Sequence, residues 1–291
     1  MEKRICDLHT HSIFSDGTDT PARLARLAAE AGLTAAVLTD HDGTDGTSAF
    51  LAAALDAGIR STTGMEISAD VPGRTVHLLA YGFNPADPAL SAALARVRDG
   101  RRRRNAEILA KLSRAGCPLS LSEVVAEAGS PDLIARPHFA RALVRKGYAH
   151  DRADAFRRYL GRGARAYAER YRLAPREAIE LVRGAGGAVS LAHPSSTQFD
   201  RAELRDFVAR LADWGLAGIE VFYTGHLPGQ IEEYLSLVRE FGLVATGGSD
   251  YHGENKPAVR IGVAYGGLKV PDEAFDAILA RCDRPAAAEK P

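Results

Sequence analysis

Three cysteines, Cys6, Cys117 and Cys282, are spread through 291 residues. An odd and widely spaced set of this kind suggests neither a disulfide framework nor a thiolate zinc site. No apolar run approaches the ~20 residues that a bilayer-spanning helix needs. The opening Met1-Glu2-Lys3-Arg4-Ile5 lacks the apolar core of a signal peptide. These absences lead to the expectation of a cytoplasmic chain with no membrane partner, and nothing in it suggests a protein partner. There is also no GxGxxG or GxxxxGK run, since Gly64, Gly73 and Gly82 are scattered, so a glycine-rich phosphate loop is excluded.

Net charge is absent too, but only in sum. Residues 96–172 carry 17 Arg and 2 Lys against 8 Asp or Glu, a balance of +11 that the remainder offsets. A basic segment beside an acidic body suits a polyanionic substrate, or alternatively a solvated arginine-rich helical face. This is the stretch in which strand patterns stop. Helical patterns cover Leu90 to Ala115, Ser120-Leu121-Ser122-Glu123 opens another helix as a capping box, and helices follow Pro137 and Asp151. The chain therefore divides into 1–87 with 173–283, a helical basic insertion at 88–172, and a flexible tail at 284–291.

Outside the insertion, strands and helices alternate. Seven strand candidates lie near residues 4–6, 35–39, 59–66, 76–82, 188–192, 217–222 and 244–248, and histidines or acids accompany most of them. Asp7-Leu8-His9-Thr10-His11 follows the first, with Asp16 close behind. Asp40-His41-Asp42 follows the second and Glu66 closes the third. His77 opens the fourth, His193 follows the fifth, and Asp250-Tyr251-His252 follows the last. His9 and His11 share a strand face because side chains alternate with period two. Glu66 sits between apolar neighbours, where a carboxylate is costly unless paired or metal-bound. Asp40 and Asp42 flank His41 as candidate orienters of a ligand held by the histidine. In an open sheet such chemistry would gather at one switch point, whereas a barrel brings all strand ends to one mouth. The expectation is an α/β fold, a distorted seven-stranded (β/α) barrel with a helical insertion.

His9-Thr10-His11, Thr39-Asp40-His41, Gly64-Met65-Glu66, Ala192-His193-Pro194 and Ser249-Asp250-Tyr251-His252 resemble the ordered motifs of the polymerase and histidinol phosphatase (PHP) superfamily. The resemblance implies a metal-dependent phosphoesterase with three divalent ions. It places His9, His11, Glu66 and Asp250 on one ion, Glu66, His77 and His193 on a second, and Asp16, His41 and His252 on a third. Many relatives carry histidine where Asp16 stands, and this harder donor favours manganese or magnesium over zinc, with three Mn2+ expected and Mg2+, Zn2+ or Fe2+ as alternatives. Glu66 and Asp250 are the expected catalytic carboxylates. His226, after the 217–222 strand, is a candidate acid. In the insertion, Ala135-Arg136-Pro137-His138 resembles the subgroup that removes the 3′-phosphate from nucleoside 3′,5′-bisphosphates. Arg136 and His138 would then bind the substrate's other phosphate, and a metal-activated hydroxide would attack phosphorus. The other readings are a 5′-3′ exoribonuclease acting on short RNA, a histidinol-phosphate phosphatase, a C–N-cleaving amidohydrolase, and a noncatalytic nucleotide-binding module.

Overall fold

The computed structural model describes residues 4–128, 134–262 and 269–282. The tail expected at 284–291 lies outside them. The chain divides into two compact units, Met1–Ala93 with Leu173–Pro291, and Leu94–Arg172.

The first unit opens with β1 (Ile5–Thr10), α1 (Pro21–Glu30), β2 (Ala35–Leu38), α2 (Thr47–Asp56), β3 (Gly64–Ala69) and β4 (Val76–Tyr81). Helix α1 starts where the Thr20 hydroxyl accepts from the Arg23 N–H and Pro21 fills the first helical position. Its Leu24, Ala25 and Ala28 form one buried stripe packed with Phe50, Ala54 and Leu38. Helix α3 (Pro88–Arg114) carries the chain into the second unit, which among the described residues also holds α4 (Leu121–Ala128), α5 (Arg136–Arg145), α6 (Arg152–Ala155) and a π-helical turn at Phe156–Leu160. The first unit resumes with α7 (Pro175–Gly184), β5 (Ala188–Leu191), α8 (Arg201–Asp213), β6 (Gly218–Tyr223), α9 (Pro228–Phe241), β7 (Val244–Gly248), β8 (Val270–Pro271) and α10 (Glu273–Leu279).

The strands do not form the expected seven-stranded barrel. Among the described residues they make two sheets, β2-β1-β8 and β3-β4-β5-β6-β7, and these do not close. Strand direction also departs from a (β/α) barrel: β3 and β4 pair antiparallel, β4 and β5 pair antiparallel, and β8 runs antiparallel against β1. Among the described residues the strands of the two sheets are joined at their edges by isolated bridges, such as Thr10 with Tyr251 and His41 with Glu66, instead of continuous ladders. At those two seams the backbones come so close that only glycine fits. A Cβ on Gly64 would lie 2.4 Å from the Leu38 carbonyl oxygen, and one on Gly248 would lie 2.4 Å from the His9 Cβ.

Strand β1 is buried throughout. Cys6 and Leu8 pack into a core with Tyr81, Phe275 and Ile278, so by alternation Asp7 and His9 face the other way. The third strand differs from the sequence reading. It begins at Gly64 and extends to Ala69, which makes Glu66 an interior residue paired opposite Leu79. The second unit has its own core, including Ile108, Leu112, Val124, Phe139, Leu143 and Leu160.

Candidate metal centre

Glu66 is the hub of the site. It is 1% exposed, and its two oxygens face different imidazoles. Oε1 lies 2.8 Å from His77 Nδ1 and 2.9 Å from His193 Nε2. Oε2 lies 3.1 Å from His41 Nδ1, 3.2 Å from His11 Nε2 and 3.4 Å from His9 Nε2. The interior position in β3 explains this reach, since the seam with His41 runs on one side and the β4 ladder with His77 on the other.

All nine positions expected as ligands come together in four overlapping groups: His9, Glu66 and His193; His9, His11 and Asp250; His41, Glu66 and His77; and His11, Asp16, His41 and His252. Within each group the candidate donor atoms lie within 4.8 Å of one another. His11 joins Asp16, His41 and His252, an association that the motif order did not suggest. His77 groups with His41 as well as lying beside His193, with ring centroids 5.2 Å apart in both pairs.

Outer contacts aim the rings. His9 Nδ1 lies 2.8 Å from Glu220 Oε1, His193 Nδ1 lies 2.7 Å from Ser196 Oγ, and His252 Nδ1 donates to the Asp250 carbonyl at 2.8 Å. His11 Nδ1 lies 3.3 Å from Ser15 Oγ, which in turn donates to Asp40 Oδ1 at 2.5 Å. Asp40 thus acts on His11 through Ser15, while Asp42 accepts from the Ser68 N–H and holds the loop to β3. Fixing one ring nitrogen of a histidine orients the other and sets its tautomer. Here Nε2 of His9, His11, His193 and His252 is the nitrogen left facing the carboxylates.

This arrangement suits cations. The Nε2 atoms of His9 and His11 face each other at 3.1 Å, which requires a proton or a cation between two lone pairs. Asp16 Oδ1 and His41 Nδ1 are buried without a well-directed hydrogen bond, although His252 Nε2 and Glu66 Oε2 lie 3.1 Å from them, an arrangement that suits a cation between the donors. Burial drives the Glu66 and Asp250 carboxyls up, but the surrounding histidines outweigh it and hold both well below the usual carboxylate range. The same opposition, with His41 and His252 prevailing, keeps Asp16 ionised. A donor set of imidazoles and carboxylates suits first-row divalent metals and magnesium. Two of the residues are also held in strained backbone, His193 at φ 23° and Asp250 at φ 55°. Non-glycine residues at such angles cost about 1–3 kcal/mol each and concentrate at functional sites.

His226 stands one layer back. Its Nδ1 donates to the Val221 carbonyl at 2.9 Å and its ring packs between Tyr223 and Tyr234, while Tyr223 also lies against His193. Burial lowers its pKa. Cys6 is no nucleophile, because burial pushes its thiol far up.

Arg136 and His138 belong to the second unit. His138 is buried, and its Nδ1 accepts from the Ala135 N–H at 2.9 Å, closing the start of α5. Arg136 lies over the Tyr167 ring and is drawn down in pKa by burial. Arg101, Arg136, Arg170 and Arg172 all repel the buried Arg104, adding to the burial that lowers its pKa.

Several contacts had no signal in the chain. Glu220 grips His9 and also accepts from the His193 N–H at 2.7 Å. Asp7 accepts from the Ser249, Gly262 and His9 N–H groups. Tyr223 and Lys256 both reach Asp250.

An imidazole–carboxylate cluster of this kind, raised on converging strands, is suited to metal-dependent hydrolysis. The PHP domain family matches residues 7–171, so the match runs through the helical segment as well as the first strands. The chain is 35% identical to a 3′,5′-nucleoside bisphosphate phosphatase of Chromobacterium violaceum, over 84% of this chain and 86% of that protein. It is 33% identical to a 5′-3′ exoribonuclease of Haemophilus influenzae, over 84% and 89%. A solved structure from Bifidobacterium adolescentis, assigned as a metal-dependent phosphoesterase, covers 96% of both chains with a TM-score of 0.84 at 34% identity. The chain belongs to the PHP family of metal-dependent phosphoesterases. Among the described residues, no helix is long and apolar enough to cross a membrane.

Proposed function

We propose that this protein removes the 3′-phosphate of nucleoside 3′,5′-bisphosphates, such as adenosine 3′,5′-bisphosphate, leaving the 5′-monophosphate. The observation that carries the reading is the pairing of two chemistries in one chain. One is a cluster of six histidines and three acids centred on Glu66. The other is a second unit in which Arg101, Arg136, Arg170 and Arg172 crowd Arg104. The phosphatase of Chromobacterium violaceum supports it by its likeness over most of the chain.

His9, His11, Glu66 and Asp250 would hold one cation, Glu66, His77 and His193 a second, and Asp16, His41 and His252 a third, with manganese the favoured metal. Bound cations polarise phosphoryl oxygens and lower the pKa of water from ~16 to ~7, which supplies a nucleophile at neutral pH. Glu66 serves two sites because each of its oxygens faces a different set of rings. Glu220, Ser15, Ser196 and the Asp250 carbonyl keep the rings from turning. Arg136 and His138 are assigned the second phosphate, for which a guanidinium is the suited partner.

The leaving 3′-oxygen needs a proton, and one comparison assigns its source. Because His226 Nδ1 already donates to the Val221 carbonyl, its Nε2 can donate only from the imidazolium, which burial disfavours. If it does so, His226→Gln slows the nucleotide by ~10²–10⁴ and spares an aryl phosphate whose leaving group needs no acid. An equal loss on both substrates would mark a structural role for His226, and an unchanged nucleotide rate would leave a metal-bound water as the donor.

A panel of hydrolysis assays with manganese tests the whole reading, following inorganic phosphate from the monoesters and released mononucleotides from the oligonucleotides. It includes adenosine 3′,5′-bisphosphate, 5′-phosphorylated oligoribonucleotides and histidinol phosphate. A preference for the oligonucleotides would instead support the 5′-3′ exoribonuclease reading, which the Haemophilus influenzae relative favours. Binding without turnover would mark a nucleotide-binding module.

A further inference from the structure

The three carboxylates of the cluster are not equivalent. Glu66 turns both oxygens toward imidazoles. Asp250 turns only one. Its Oδ1 lies 3.5 Å from His9 Nε2 and 3.3 Å from both His11 Nε2 and His252 Nδ1. Its Oδ2 faces away, accepts from the Tyr223 hydroxyl at 3.1 Å and pairs with the Lys256 ammonium at 2.5 Å. The backbone adds a further restraint. Asp250 sits at φ 55°, its N–H donates to the His9 carbonyl, and the His11 N–H donates to the Tyr251 carbonyl. Main-chain bonds on either side, and two donors on the outer oxygen, leave the carboxylate one orientation.

We propose that Lys256 is a specificity-determining residue for the metal: by occupying Asp250 Oδ2 it confines Asp250 to a single inward oxygen. The inference rests on reading the cluster as a metal site and extends that reading to which cation the site accepts. The chemistry is that of coordination number. Calcium takes six to eight oxygens and readily accepts a carboxylate through both of them, whereas magnesium and manganese favour compact octahedral shells. A carboxylate held to one oxygen withholds the extra ligand that a larger ion needs. An ammonium does this more firmly than a hydroxyl, because a charge-assisted bond is roughly twice as strong as a neutral one. Lys256 is a positioning residue here. It acts through Asp250, and the side chain is 39% exposed at the edge of the cluster.

The test measures cation choice by binding. Wild-type protein, Lys256→Met, Lys256→Arg and Tyr223→Phe are stripped of metal and loaded with Mn2+, which is then displaced with Ca2+ while free Mn2+ is followed by electron paramagnetic resonance. Lys256→Met should move the Ca2+-to-Mn2+ affinity ratio toward calcium by about tenfold, the lower end of what loss of a ligand's outer partner costs. Lys256→Arg should restore the wild-type ratio, and Tyr223→Phe should shift it less. An unchanged ratio in Lys256→Met overturns the proposal, and so does a shift that arginine fails to reverse. If Lys256→Met does not fold, Lys256→Gln, which keeps a donor and loses the charge, takes its place with the same expected direction. Failure of the wild type to bind Mn2+ would instead overturn the metal-site reading itself.

Discussion

Replacing Glu66 with glutamine removes one charge from the centre of the cluster and leaves its shape. The side chain keeps its volume, and an amide can still hydrogen-bond the rings around it. What disappears is an anion facing His77 and His193 on one oxygen and His41, His11 and His9 on the other, at 2.8 to 3.4 Å. A unit charge acting on a cation ~4 Å away contributes about 4 kcal/mol at an effective dielectric of ~20, or roughly three orders of magnitude in affinity. Because Glu66 is proposed to serve two cations, that figure is a lower bound for the pair. The assay titrates metal-free Glu66→Gln with Mn2+ against a chromophoric chelator and measures phosphate release at saturating metal. A thermal melt of the metal-free protein checks that the fold is retained. Affinity and turnover both within tenfold of wild type would refute the hub role of Glu66.

Arg136→Ala should raise KM for a bisphosphonucleotide by about 10–100-fold, the value of one hydrogen bond to a charged group, while leaving an aryl phosphate unchanged. An equal loss on both substrates would remove Arg136 from the second phosphate. Gly248→Ala places a methyl 2.4 Å from His9 Cβ. Overpacking of that kind costs about 1–3 kcal/mol, readable as a lowered urea midpoint, and a neutral midpoint would show that β1 and β7 can part at this seam. Chelation should abolish phosphate release and lower the melting temperature, with both restored by added cation. Metal at a hundred times its Kd contributes about 2.7 kcal/mol of stability, so an unchanged melting temperature would argue against structural coupling of the site.

The types of group and their order along the chain were open to reading because each motif is local. His9 and His11 two apart at a strand end, Asp250 and His252 spaced likewise, and a glutamate between apolar neighbours mark candidate ligands without any contact being known. Capping signals are local in the same way, and Thr20-Pro21 and Ser120-Leu121-Ser122-Glu123 open helices as their chemistry requires. The closed barrel was inferred from the convergence of strand ends, and that step failed. Convergence constrains where strands end, but it says nothing of their direction. The signal that could have prevented the error was present in Val71-Pro72-Gly73-Arg74, a turn between β3 and β4 too short for the crossover that parallel strands need.

The chain alone therefore determined the donor inventory of this phosphoesterase and the basic character of residues 96–172, since both are properties of composition and near-neighbour spacing. Only the tertiary structure decided how those donors are shared. It set Glu220 behind His9 across 211 positions and turned both oxygens of Glu66 inward. It also placed Lys256 and Tyr223 on the outer oxygen of Asp250. Such contacts depend on which faces the sheets present at their seams and on how closely Gly64 and Gly248 let the backbones approach. Packing sets both, and no local pattern of residues encodes them.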